Sequence, residues 1–216
     1  PDPAGDPGTD PAAGPVPGMT SAPAATGYLP PVIAGQATPG SSVVVEVDGR
    51  RYSPAVAPDG TWAFDARTLQ PAAGTYEYQV WAFDAASTST ATTGTFTVLP
   101  LVVQGFEQLT GFQDMQVDEA KTTGVVIAVT GPASGRVYIN TMQGHSAILS
   151  LDQNGYTRVR LLMDSRGWYY FTFRALDADE MWGPGLEKAV DVYDPDIIVD
   201  PWGPSDEEMT FQVVAP

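Results

Sequence analysis

The chain has 216 residues, enough for two small domains on the usual scale of about 100 to 150 residues each, and its 20 prolines and 22 glycines fall between short apolar runs. Because both residues break or weaken helix interiors, a mostly helical protein is excluded and an all-β chain is expected. A cysteine count of zero excludes a disulfide framework, a thiolate zinc site and thiol catalysis, and a net charge of −16, from 26 acidic and 10 basic residues, disfavours nucleic acid and anionic lipid as partners.

No run of about 18 apolar residues occurs, so no membrane-spanning helix is expected, and no charged start leading to an apolar stretch and a cleavage site marks an export signal. Residues 1–30 are almost entirely Pro, Ala, Gly, Asp, Thr and Ser, with Tyr28 and Leu29 the only sizeable apolar pair. Such a stretch buries too little surface to offset its ordering entropy and reads as a flexible, extended arm.

From Pro31 short alternating runs begin, divided by turn signals. SVVVEVD (42–48) puts Val43, Val45 and Val47 on one face, and Asp48-Gly49 then turns the chain. Pro58-Asp59-Gly60 opens a strand with Trp62 and Phe64 on one side, and GTYEYQVWAF sets Tyr76, Tyr78, Val80 and Ala82 on one side. GTFTVL closes a first domain spanning 31–99, and Pro100 marks the boundary to a second spanning 100–216.

The second half repeats this order at an offset of about 93 residues, the length of a small sandwich duplicated in tandem. GTYEYQVWAFDA (74–85) matches GWYYFTFRALDA (167–178), and PDGTW (58–62) matches QNGYT (153–157). DQNG (152–155) lacks the closing glutamate of a calcium-binding EF-hand loop and reads as a hairpin turn. An acidic insertion at 177–208 precedes a last strand, MTFQVV.

The segments VIAGQATPGSSVVVEVDG, APDGTWAFD and LQPAAGTYEYQVWAFDA resemble the bacterial immunoglobulin-like domains found in tandem on surface adhesins, as spacers on secreted enzymes, and on phage tails and capsids. The resemblance implies two tandem immunoglobulin-like β-sandwiches after the extended Pro/Ala/Gly-rich N-terminal arm. It also implies that Tyr76 and Tyr169 hold the tyrosine-corner position, where a phenol bonds back to backbone. A fold this widespread does not by itself name a function.

Signals for catalysis are sparse. The single histidine, His145, sits in QGHSAI with no G-x-S-x-G elbow, and zincin, Walker and dinucleotide-binding patterns are absent, so no enzyme is expected. Residues 177–208 hold eleven acids and one base, Lys188. Asp177, Asp179 and Glu180, meeting Asp194 or Asp196, would suit Ca2+ as a hard cation taking oxygen ligands; the alternative is a solvated acidic loop. Alternation puts Trp81 and Phe83, and Trp168 and Tyr170, opposite the core faces of their strands. Each pair either stacks on sugar rings, docks a protein, or lies under a neighbouring segment.

The expected function is a non-enzymatic structural or adhesive display module, exposed on a phage virion (capsid decoration or tail) or on a bacterial cell surface. Its partners would be protein neighbours in a virion or surface assembly, or cell-surface glycans. A carbohydrate-binding β-sandwich of a secreted or surface protein is the alternative.

Overall fold

The computed structural model describes residues 18–21, 26–106, 114–196 and 209–215. They divide into two compact units: the described residues within 1–26, 31–68 and 75–97 form the first, and those within 27–30, 69–74 and 98–216 the second.

The first unit is built from β1 (Gly18–Ser21), β2 (Thr26–Gly27), β3 (Val32–Gln36), β4 (Ser42–Val47), β5 (Arg50–Tyr52), β6 (Thr61–Asp65), β7 (Gly74–Phe83) and β8 (Thr92–Val98). One sheet has the order β1-β3-β6 and the other β2-β8-β7-β4-β5. The period of two buries one side of each strand: Val43, Val45 and Val47 from β4, and Tyr78, Val80 and Ala82 from β7, face Ile33, Trp62 and Phe64 of the opposite sheet. Each large side chain so buried contributes about 1.5–3 kcal/mol. The β4–β5 hairpin closes through Asp48 and Gly49, whose φ of 49° and 73° are those of a two-residue type I′ turn.

The second unit contains β9 (Val102–Gln104), β10 (Asp114–Gln116), α1 (Val117–Thr122), β11 (Val125–Thr130), β12 (Arg136–Thr141), β13 (Ser146–Ser150), β14 (Tyr156–Met163), β15 (Gly167–Leu176), β16 (Leu186–Tyr193) and β17 (Phe211–Val214). Its sheets are β17-β14-β11-β9 and β10-β16-β15-β12-β13, with β10 running parallel to β16. The core is aromatic. Phe106, Tyr169, Phe171 and Phe173 are fully buried, and Phe106 meets Phe173 edge to face at 6.1 Å.

Several elements differ from the sequence reading. Within 1–30, β1 pairs with β3, and Tyr28 and Leu29 pack against the core of the second unit. The acidic stretch is not all loop, because β16 lies inside it and pairs with β15 over seven residues, burying Val190 and Val192. Asp200, Asp206, Glu207 and Glu208 lie outside the described residues. The DQNG turn is not a hairpin: it joins β13 of one sheet to β14 of the other. Its counterpart around Gly60 likewise joins β5 to β6 across the sheets.

These two crossovers are built alike. Gly60 accepts a hydrogen bond from the Ala37 amide at 2.8 Å, as Gly155 does from the Gly131 amide at 2.8 Å. Both glycines have positive φ, +86° and +76°, and a Cβ on either would lie 2.2 Å from the carbonyl oxygen of Ala37 or Gly131. An L-residue in this region costs about 1–2 kcal/mol for the backbone alone. Gly155→Ala is therefore expected to lower the unfolding free energy in urea by more than about 2 kcal/mol. Gly144→Ala, at φ +92° with nothing within 4 Å, should show the backbone cost only.

Candidate functional site

Strand β15 organises the second unit because its inward set fills the core and its outward set is exposed. Its register is held at one end by Tyr169. The fully buried phenol accepts the Ser165 amide at 3.1 Å and donates toward the Ser165 carbonyl at 3.2 Å and the Asp164 carboxylate at 3.1 Å. Asp164 in turn accepts the Thr210 amide at 2.8 Å and the Thr210 hydroxyl, tying the approach to β17 into the same knot. In the first unit, Tyr76 is half-buried and stacks on Phe96 at 5.4 Å.

Partial burial pushes the Asp164 carboxyl up, but hydrogen bonds from Thr210 and Tyr169 outweigh it and hold the group below its ordinary value. With a folded value below the unfolded one of about 3.9, the stability this carboxylate supplies is present above that pH. It is lost as pH falls through the folded value. Asp164→Asn should flatten the acid limb of the stability–pH profile below about pH 4, measured by chemical denaturation across pH. Tyr169→Phe, which strands the Ser165 amide, is expected to cost about 1–3 kcal/mol in the same assay.

On the outward face of β15, Trp168 and Tyr170 are 42% and 44% exposed, with ring centroids 6.1 Å apart and planes within 19°. Further along that face, Tyr138 of β12 pairs with Arg174. Trp182 folds over this pair, stacking on Tyr138 at 5.3 Å and 14°, with the Arg174 guanidinium 5.3 Å from the Trp182 ring. Ile148 of β13, opposite Tyr138, is 52% exposed and widens the apolar strip. Polar Thr172 and Asn140, paired across β15 and β12, lie between the two aromatic pairs. The alternation of β15 reveals Trp168 and Tyr170. Tyr138 and Trp182 are missed, because Trp182 reaches the sheet through an isolated bridge to Leu176 from a loop without periodicity.

The matching face of the first unit is more committed. Trp81 is half-buried, and Arg51 lies 5.3 Å over its ring while bonding Glu46 at 2.7 Å. Phe83 is exposed at the end of β7.

Of the acids proposed for calcium, Asp177 and Asp194 have carboxylates engaged in turns. Asp177 accepts the amides of Asp179 and Met181, each at 2.9 Å, and Asp194 accepts that of Asp196 at 3.0 Å. Glu180 has a φ of 61° in the same turn as Asp177. Among the described residues no three of His, Cys, Asp and Glu come together as a metal site. His145 is half-buried ahead of β13, its carbonyl accepting the Thr141 amide at 2.9 Å.

The layers β9, β11 and β14 against β10, β16, β15, β12 and β13 match β1, β3 and β6 against β2, β8, β7, β4 and β5, two sheets face to face in each unit, antiparallel but for the β10–β16 pair. With strands switching sheets between β5 and β6 and between β13 and β14, this is a pair of immunoglobulin-like β-sandwiches, and the class rests on that strand order. No protein-family model matches the chain, and no curated protein does. Solved structures similar to it include the D00-D0 domain of intimin, at 15% identity and a TM-score of 0.33, covering 83% of this chain and 100% of that one. A second is a 1.5-MDa bacterial ice-binding adhesin, at 17% identity and a TM-score of 0.26, covering 82% of this chain. The chain spans 62% of that adhesin chain. A third is a two-domain fibronectin type III segment of chicken tenascin, at 11% identity and a TM-score of 0.29, covering 82% of this chain and 99% of that one. No helix of the described residues is long and apolar enough to cross a membrane.

Proposed function

We propose that the chain is a non-catalytic adhesion module, displayed on a bacterial cell surface or a phage particle, which grips its partner through the outward face of the β15–β12 sheet. The observation that carries this reading is the pair of parallel aromatic stacks there, Trp168 on Tyr170 and Tyr138 on Trp182. Large aromatic side chains left about 40% exposed on a rigid sheet, with an arginine among them, have the composition of binding hot spots. Nothing in this arrangement requires a reacting group. It supplies contact area, held in place by the buried rings on the other side of the same strand.

Flat rings with planes within 19° and 14° of each other also favour a second reading, in which the partner is a neutral glycan whose sugar faces stack on the strip. The two readings separate by experiment. A glycan array and a surface-protein overlay, both probed with the whole chain, identify which partner class binds. In either assay the double variant Trp168→Ala, Tyr170→Ala should bind at least about tenfold more weakly at an unchanged melting temperature. Full binding by that variant would remove the face from the proposal.

A further inference from the structure

The opposite layer of the second unit carries a different chemistry. Its strands β9, β11, β14 and β17 read VVQ, VVIAVT, YTRVRLLM and FQVV, without one acidic residue, in a protein of net charge −16. Strand β14 turns Val159, Leu161 and Met163 to the core, which leaves Tyr156, Arg158, Arg160 and Leu162 in line on the outward face. Their cross-strand partners there are uncharged: Ala128 faces Arg158, while Val126 and Val214 flank Arg160. Among the described residues neither arginine forms an ion pair, unlike Arg51 with Glu46 and Arg67 with Asp65. The Nε of Arg160 is buried and has no hydrogen-bond partner among the described residues. A partly covered guanidinium without an anion is unfavourable, and a carboxylate seated on its fork removes that penalty.

We propose that this stripe is a second binding site, distinct from the aromatic strip, and that it takes a short carboxylate-bearing sugar chain of the uronate type. Charge complementarity sets the sign of the ligand. Two features set its kind. First, β14 is hydrogen-bonded on both sides, to β11 and β17, so the stripe has no free strand edge to which an extended acidic peptide could add. Second, the 43% exposed Tyr156 continues the line of the two arginines. At a strand rise of about 3.4 Å per residue, ring and guanidinium groups repeat every ~7 Å over ~14 Å, the span of a short oligosaccharide that stacks once and is forked twice. Thr130 and Gln104 beside this line supply neutral hydrogen-bonding groups for hydroxyls. The charge of the remaining surface is screened beyond about 8 Å at physiological ionic strength, so a short anion is tolerated where a long polyanion is repelled.

The test titrates the full chain with hexagalacturonate, with a hexaglutamate peptide, and with neutral maltohexaose, by calorimetry and by backbone amide NMR. The expected result is saturable binding of hexagalacturonate alone, weakened by raising salt from 50 to 300 mM, with shifted amides along β14. Arg158→Gln with Arg160→Gln should weaken it at least tenfold at an unchanged melting temperature, and Arg158→Lys with Arg160→Lys should retain an intermediate affinity because it keeps charge but loses the fork. The Trp168→Ala, Tyr170→Ala variant should bind hexagalacturonate normally, which separates this site from the aromatic strip. Equal binding of hexaglutamate would make the stripe an acidic-peptide site and overturn the proposal. So would absence of hexagalacturonate binding at millimolar concentration, or amide shifts confined to residues away from β14, a readout that needs no variant.

Discussion

The phenol of Tyr169 holds β15 in register, and most of the second unit follows from that register. With Tyr169 inward, Phe171 and Phe173 enter the core and Trp168 and Tyr170 must face out. A slip of one residue would exchange the two sets, placing the exposed aromatics in the core and the core rings in water. The knot of Tyr169, Ser165, Asp164 and Thr210 stands at the start of the strand, where such a slip would begin. Core packing and the candidate binding strip are therefore two readings of one alternation. Substitutions in the knot should affect both.

Strand periodicity made the inward sets of β4, β7 and β15 legible, and the duplicated turns around Gly60 and Gly155 announced themselves through PDGTW and QNGYT. What local pattern does not encode is the layer a strand joins. Asp152 caps its turn by accepting the amides of Asn154 and Tyr156, at 2.8 and 2.9 Å, bonds that would look the same in a hairpin. Only the pairing of β14 with β11 shows that the chain crosses to the other sheet. Strand β16 was obscured for a different reason: Lys188 points inward with its ammonium 6.0 Å from the Phe106 ring, and Asp191 is buried. Charges on both faces erase the alternation. The helix α1, at six residues, is too short for a helical period to emerge, although Asp118 and Glu119 in its first turn have the expected sign.

The outward sites follow the same division. Trp168 and Tyr170 could be read from one strand, whereas Tyr138 and Trp182 are 44 residues apart in sequence and meet only because β12 lies beside β15. The arginine stripe has a sequence signal of its own, two arginines at i and i+2 in a strand, within four strands free of acids. In the acidic run, the carboxylates of Asp177 and Asp194 are engaged by nearby backbone amides.

The crossover turns also bear on how the protein ages. An Asn-Gly bond is the weak point of an exposed chain, because the glycine nitrogen can attack the asparagine side-chain carbonyl and close a five-membered imide, slowly converting the residue to aspartate and isoaspartate. At Asn154-Gly155 that nitrogen is held 2.9 Å from the Asp152 carbonyl, and at Asp59-Gly60 the corresponding nitrogen is held 2.8 Å from the carbonyl of Ala57. Ring closure requires the turn to open first. The hydrogen bonds that shape these crossovers therefore also slow a spontaneous chemical clock.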